Sequence, residues 1–426
     1  MEAYVNGIIL NGNKDMTPQY GKTMLVSDGR IKEILDQGAE LPSGCSTVDL
    51  GGAYVLPGLI NLHVHIPSNG KPRKKPLDAK KTVRLLTSND LLRFVVKKMS
   101  ENYARTALFS GVTTIRAVGG AEAFDSKLRD DINSGKVLGP RVLAANMAIS
   151  VPGGHMAGSL AYEARSEEEA RAFVRKIAED KPDLIKLMIT GGVMDADTLG
   201  EPGALKMAPG LVKAACDEAA KLGFYVAAHV EGREGLKVAL ENGVHTIEHG
   251  AKPDDEIIAL FKEKKAALVT TISPTIPYAL IDTSVTHFEE VAHNNGKVVM
   301  EGIIDCANAC LENGIPVGLG TDTGVTYITH YDFWREPVYF QKYCGVSNAF
   351  ALFTATKRNA EIAGIDGETG SIEPGKSADF IVVEKNPLED LKALRDVKMV
   401  AIRGKLITDP KVKRMKAVDE ALDKLL

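Results

Sequence analysis

The chain has 426 residues, 44% of them hydrophobic and 25% charged, with a net charge of −4, the balance of an ordinary globular protein. That balance lacks the basic excess of a nucleic-acid binder, and no apolar run reaches the length of a membrane span. Neither nucleic acid nor membrane is therefore expected as a partner.

The N-terminus, Met1-Glu2-Ala3-Tyr4-Val5-Asn6-Gly7, shows no basic leader ahead of a long apolar stretch. The five cysteines (Cys45, Cys216, Cys306, Cys310, Cys344) show no CxxC spacing, and a cytoplasmic location is the expectation. Residues 1–57 read as small β-structure. Asp28-Gly29 sits between Met24-Leu25-Val26 and Ile31 as a tight-hairpin signal. The far end has the same texture: Asp379–Val383 is one strand, and Val397–Ile402 pairs across Arg403-Gly404 with Leu406-Ile407. Residues 1–57 and 364–426 are thus expected to meet in one small β-sandwich domain around a different middle, residues 58–363.

The middle alternates strand and helix. Strands are predicted at Leu59–His65, Thr113–Val118, Val142–Ala145, Leu184–Met188, Tyr225–His229, Thr246–His249, Ala267–Thr271 and Ile315–Gly320. Ser166 and Glu169 form a capping-box pattern, and Lys221-Leu222-Gly223 is a helix stop. Tyr225, Thr246 and Ala267 recur every 21 residues. Eight strand–helix units imply an α/β fold, a (β/α)8 TIM barrel. A doubly wound sheet competes, but Gly119-Gly120 alone is weak evidence for its phosphate turn. Lys71-Pro72-Arg73-Lys74-Lys75-Pro76 reads as a solvated basic loop. The tail, with Met415, Val418, Leu422 and Leu425 on one face, reads as a helix docking on its own subunit or a neighbour, and a homo-oligomer is expected.

The chemistry-bearing residues fall at strand ends. In Leu56-Pro57-Gly58-Leu59-Ile60-Asn61-Leu62-His63-Val64-His65, strand alternation puts His63 and His65 on one face, an arrangement that suits a divalent metal. Lys186 lies in Leu184–Met188, His229 closes the fifth strand, His249 closes the sixth, and Asp322 follows Gly318-Leu319-Gly320-Thr321. In a barrel these ends ring one mouth.

With these motifs (PGLINLHVH, the fourth-strand Lys, IEHG and GTD) the chain resembles the amidohydrolase superfamily of metal-dependent hydrolases. Within it the chain is similar to imidazolonepropionase-related proteins and to the Xaa-Pro dipeptidase (prolidase)-like group. The resemblance implies that His63, His65 and Asp322 bind one divalent metal and His229 and His249 another. A carboxylated Lys186 would bridge the two. Zinc is the expected metal, with Mn, Fe or Co also compatible with such ligands. The residues agree: Lys186 is costly to bury as an ammonium, whereas its carbamate is an anionic ligand that two cations stabilise. A surface lysine and a Schiff-base lysine are the alternatives. Two metals can hold a bridging hydroxide and polarise a carbonyl, with Asp322 moving the proton to the leaving nitrogen as general acid/base.

His155, in Pro152-Gly153-Gly154-His155, matches a GGH segment of dipeptidase-like relatives and would hold the substrate carbonyl or its oxyanion. His330 follows the eighth strand as a candidate substrate contact. His245 reads as a loop residue, and His287 and His293 as solvated. Two departures from the resemblance stand out. Relatives commonly carry an Asp after the second-strand Arg, where this chain has Arg116-Ala117. Where dipeptidase-like relatives often place a Tyr that binds the substrate carboxylate, this chain has Glu231. Either the substrate offers Glu231 a cation or N–H group, or its carboxylate lies elsewhere, with Arg233 the candidate. Glu231 turned into solvent or paired with Arg233 is the bland alternative.

The sequence therefore predicts a small-molecule amidohydrolase that opens the amide of a dipeptide, an N-acyl amino acid or a small cyclic amide. A single-metal deaminase of a cyclic amidine is an alternative. It would want a Glu three residues after His229, where Gly232 stands, and it leaves Lys186 without a role. A non-catalytic scaffold of the same fold is a distant third reading.

Overall fold

The computed structural model describes residues 1–73, 78–196 and 199–426. Lys74, Lys75 and Pro76 of the basic loop lie outside the described residues. The chain divides into two compact units. One comprises Met1–Asn61, Arg105–Ile115 and Tyr331–Arg414, the other Leu62–Ala104, Arg116–His330 and Met415–Leu426.

In the first unit both chain ends build one eight-stranded sheet. Phe380–Val383 pairs antiparallel with Tyr54–Pro57, Phe380 opposite Pro57 and Val383 opposite Tyr54. Both expected hairpins form. Asp28 (φ 54°) and Gly29 (φ 77°) are left-handed, as are Arg403 (φ 50°) and Gly404 (φ 74°). Two consecutive left-handed residues make the turn whose twist matches the strands it joins. Tyr4 meets Phe380 edge-on at 5.0 Å in the core of this sheet.

The (β/α)8 barrel uses eight parallel strands: β1 (Leu59–Val64), β2 (Val112–Ala117), β3 (Arg141–Ala144), β4 (Leu184–Met188), β5 (Tyr225–Val230), β6 (Thr246–His249), β7 (Ala267–Thr270) and β8 (Val317–Leu319). They form two ladders, β1-β2-β3 and β4-β5-β6-β7-β8, the second extended by the short strands Ala148–Ser150 and Ala161–Glu163. The 21-residue recurrence is in register from β6 to β7, where Thr246 pairs with Ala267, whereas on β5 it is Ala227, two residues beyond Tyr225, that pairs with Thr246. Backbone bonds join the ladders. Asp183 N donates to Ala144 O at 2.7 Å, between β4 and β3. Val64 bridges Thr323, Asp322 N donates to His63 O at 2.9 Å, and His65 N to Thr323 O at 2.7 Å. Strands buried on both faces read as continuous apolar runs, which is why Leu184–Met188 is fully buried with one lysine inside it.

Local signals set the helices. Ser166 Oγ caps Glu167–Glu179 by accepting from Glu169 N, while the Glu169 carboxylate reaches back to Arg165 N. Pro209 opens Pro209–Lys221, and Gly223 (φ 81°) follows its end. Val418 and Leu422 of the tail helix, Lys416–Leu422, are buried within this chain. No helix among the described residues is long and apolar enough to cross a membrane.

The closure between β8 and β1 needs Gly320, where a Cβ would lie 2.5 Å from His63 Cβ and 2.9 Å from its backbone N. Gly320→Ala is expected to cost about 1–3 kcal/mol through overpacking against a backbone that cannot give way. Gly367→Ala, with open space around it, should lie within about 0.5 kcal/mol of wild type. Scanning calorimetry of both variants tests this, and equal melting midpoints would show that the close approach is not required.

Candidate metal centre

The strand ends bring His63, His65, Lys186, His229, His249 and Asp322 together inside one unit. Ring centroids are 5.4 Å apart for His63–His65, 4.8 Å for His63–His249 and 4.7 Å for His229–His249. Asp322 Oδ1 lies 3.1 Å from His65 Nε2 and 3.5 Å from His63 Nε2. Donor atoms of His63, His249 and Asp322 fall within 4.8 Å of one another, and so do those of His229, Glu231 and His249.

Each imidazole uses one nitrogen on an outward partner. His63 Nδ1 donates to Glu248 Oε2 at 2.8 Å, His65 Nδ1 to Gly119 O at 2.7 Å, and His229 Nε2 to Gly191 O at 3.2 Å. His249 Nδ1 sits 2.6 Å from Thr271 Oγ1. These bonds fix the tautomers, leaving the lone pair on Nε2 of His63 and His65 and on Nδ1 of His229. Burial, followed by the Lys186 charge, holds His63 well below the ordinary imidazole value. Burial and then the neighbouring His155 do the same for His229, and burial takes His249 down to about 3. Neutral rings of this kind are the form that binds a metal.

Lys186 is 1% exposed, and its Nζ has no hydrogen-bond partner among the described residues. Burial lowers its pKa to about 8, against the opposing pull of Glu248. Burial pushes the Asp322 carboxyl up, but the proximity of His65, His63 and His249 outweighs it and holds it below the usual carboxylate range. His249 (φ 73°) and Asp322 (φ 54°) both occupy the left-handed region, a strain of about 1–3 kcal/mol each.

Glu248 is fully buried and joins two elements. Its Oε1 accepts from Arg116 Nη2 at 2.6 Å and Thr246 Oγ1 at 2.8 Å, and its Oε2 from His63. Arg116 also donates through Nε to Leu62 O. Glu248 lies within the IEHG motif, where the sequence alone assigns it no task. The signal was the buried Arg116, whose expected acidic neighbour on β2 is absent. Asp195 was missed as well. Its Oδ2 lies 2.5 Å from His155 Nδ1 and accepts from Gly192 N, and His155 stacks on His229 at 4.1 Å.

The peripheral candidates separate. Glu231 sits beside His229 and His249, and its Oε2 has no hydrogen-bond partner among the described residues. Burial, then Asp322 and Asp195, push its pKa up to about 8. Arg233 does not join it: its guanidinium is exposed and bonds Asp254 at 3.2 Å, because Arg233 opens the helix that leads away from β5. His330 Nε2 donates to Ser68 O at 2.7 Å, and its ring stacks on Tyr103 at 5.1 Å. His293 is not merely solvated: its Nδ1 bonds Tyr278 O at 2.6 Å. Burial, then the charges of Asp322, Glu231 and Asp195, push the Tyr278 hydroxyl pKa up.

Comparison with known proteins agrees with this geometry. Residues 54–407 match the amidohydrolase family model. A solved structure from Bifidobacterium longum assigned as a prolidase superposes with a TM-score of 0.87 at 35% identity, covering 99% of this chain and 98% of the other. A Xaa-Pro dipeptidase with bound methionine in its active site gives 0.83 at 30% identity, covering 96% and 99%. The ochratoxinase of Aspergillus niger is 28% identical over 338 residues, 71% of this chain and 67% of that one. The chain belongs to the amidohydrolase family and is a hydrolase acting on carbon–nitrogen bonds.

Proposed function

We propose that the protein hydrolyses the amide bond of a small molecule, a dipeptide, an N-acyl amino acid or a small cyclic amide, with two divalent cations held at the barrel mouth. The observation that carries this reading is Lys186. A buried amine without a hydrogen-bond partner, set within a ring of four imidazoles and Asp322, is unfavourable as an ammonium. As a carbamate it supplies the anionic oxygens that two cations require. His63, His65 and Asp322 would hold one cation, His229 and His249 the other, and carboxylated Lys186 both. The donor set fits: burial keeps His63, His229 and His249 neutral, the outward ring nitrogens are engaged, and Asp322 is anionic.

Bound there, the cations supply Lewis acidity and a water nucleophile at neutral pH. The chain's own residues do the rest. Asp322 stays ionised next to three imidazoles and is placed to take a proton from the attacking water and return it to the leaving nitrogen. Asp195 fixes the His155 ring through Nδ1, and Nε2, directed away from Asp195, donates to the carbonyl oxygen when it too carries a proton. Glu248, held by Arg116, keeps His63 in its orientation. The names of the relatives, prolidase, Xaa-Pro dipeptidase and ochratoxinase, support an amide substrate.

Metal analysis by plasma mass spectrometry should find close to two divalent ions per chain. His63→Ala and Asp322→Asn should abolish turnover while keeping the wild-type circular dichroism spectrum. Active protein that stays metal-free in medium supplemented with metal and bicarbonate would sink this reading.

Lys186→Ala should lose activity and regain part of it when a short carboxylate such as propionate is added. Wild-type electron density should extend past Nζ. An unmodified Lys186 in metal-loaded crystals would instead favour the single-metal deaminase.

For the dyad, Asp195→Asn should lower kcat by about 10–1000-fold with KM changed far less, as expected for support of an oxyanion donor. An unchanged kcat would remove Asp195 from the reaction.

A further inference from the structure

The segment between β1 and β2 carries two helices, Ala79–Leu86 and Asp90–Phe109. Their inner face is already used: Val83, Leu86 and Val96 pack with Ala121, Phe124 and Leu160. A surface helix needs only one apolar stripe, the one that faces the core. These two present a second one outward. Leu85, Leu91, Phe94 and Val95 are 62%, 72%, 55% and 40% exposed, four of the twelve large apolar side chains exposed among the described residues. Exposed apolar residues standing singly are ordinary, but four within residues 85–95 mark a contact surface. Ion pairs fix the helices on their own unit, Arg93–Glu122 at 3.1 Å, Lys97–Asp131 at 2.6 Å and Lys80–Glu163 at 3.3 Å.

The chemistry of this face matches a second copy of itself. Leu91, Phe94 and Val95 form one stripe at i, i+3 and i+4, with Asp90 at its N-terminal end and Lys98 at its C-terminal end. Asp90 and Lys98 stand one turn to either side of Phe94. Two such helices crossing antiparallel at Phe94 therefore set Asp90 of each against Lys98 of the other. The Asp90 carboxylate, 3.6 Å from Arg93, is fully exposed, and Lys98, which meets Glu101 at 2.7 Å, keeps half of its side chain in solvent.

Shape agrees with charge. Beside Phe94 lies a groove of about 190 Å³, lined by Lys97, Ser100, Phe124, Lys127 and Leu128. A cavity of about 150 Å³ holds one benzene ring, so this groove has room for one apolar side chain. The same crossing sets Leu91 of one copy opposite Lys97 of the other, at the edge of that groove. An apolar knob and a hole on one surface are what a self-complementary two-fold contact requires. Other occupants fit less well. Apart from Arg84, every cation on residues 79–98 has an acid within 3.3 Å, which leaves little basic surplus for an anionic membrane. The tail helix, the other surface expected to dock on a neighbour, buries Val418 and Leu422 within its own chain.

We propose that the outer face of these two helices is a two-fold interface with a second copy of this chain, centred on Phe94. Phe94 packs on its counterpart at the axis, Leu91 enters the partner's groove, and Asp90 and Lys98 close the rim on either side. The contact is independent of the chemistry at the barrel mouth.

Sedimentation velocity and light scattering of the full chain at micromolar concentration should show a dimer or an even multiple of one. Phe94→Glu places a charge on the axis against its own copy. It should weaken association by about 30-fold or more and lower the mass to half or less, with the wild-type circular dichroism spectrum. Leu222→Glu, at a comparably exposed leucine elsewhere, should leave the mass unchanged. Phe94→Cys should form an intermolecular disulfide under mild oxidation, because a residue on a two-fold axis meets itself. Wild type, with Cys45 and Cys344 half-buried, and Leu222→Cys should not. A monomeric or odd-numbered wild type would overturn the inference, and so would an assembly whose mass survives Phe94→Glu. Monomeric protein that sediments with phosphatidylcholine vesicles containing phosphatidylserine, and loses this in Phe94→Glu, would assign the face to a membrane instead. If Phe94→Glu does not fold, the Phe94→Cys cross-link decides: its absence in an assembly of wild-type mass overturns the inference.

Discussion

The site depends on four buried imidazoles aimed inward at the barrel mouth. Burial is the main cause that keeps three of them, His63, His229 and His249, neutral, because a charged ring inside the barrel loses its hydration without regaining it. Burial does not orient a ring. Orientation comes from the outward hydrogen bonds, made to two backbone carbonyls, a threonine hydroxyl and the Glu248 carboxylate. The backbone acceptors, Gly119 O and Gly191 O, belong to loops that follow neighbouring strands, so ring geometry is inherited from strand pairing.

Glu248 carries more than one ring. It is the meeting point of β2, through Arg116, β1, through His63, and β6, to which it belongs. A buried guanidinium–carboxylate pair adds little net stability over apolar packing, but removing one partner costs about 3–5 kcal/mol. Its value lies in coupling: His63 cannot turn without disturbing the bond that keeps Arg116 satisfied beneath it. Directly above, the left-handed backbone at His249 breaks the strand alternation. Neighbouring residues on a strand face opposite ways. The break allows Glu248 to serve the barrel interior while His249, next in sequence, serves the mouth. Asp322 is strained in the same sense, where the chain turns over the end of β8.

Acidic groups also meet the imidazoles at the mouth. Asp195 Oδ2 lies 2.5 Å from His155 Nδ1, and His155 stacks on His229, while a Glu231 oxygen lies within 4.8 Å of the donor atoms of His229 and His249.

The strands, the hairpins and the residues gathered at the barrel mouth were legible in the sequence because each rests on local chemistry. Asp28-Gly29 and Arg403-Gly404 define turns by backbone preference, and the spacing of Tyr225, Thr246 and Ala267 sets the strand–helix repeat. His63 and His65 share a face by alternation alone. What the tertiary structure decided was everything that depends on partners distant in sequence. Glu248 finds Arg116 across 132 residues, and His155 finds Asp195 across 40. Arg233 finds Asp254 on the surface rather than Glu231 two residues away, because the helix that starts at Gly232 carries it off the strand axis. Periodicity says which way a side chain points while the pleat lasts. At His249, Asp322 and Glu231 the pleat ends, and there only the three-dimensional packing sets what each group meets.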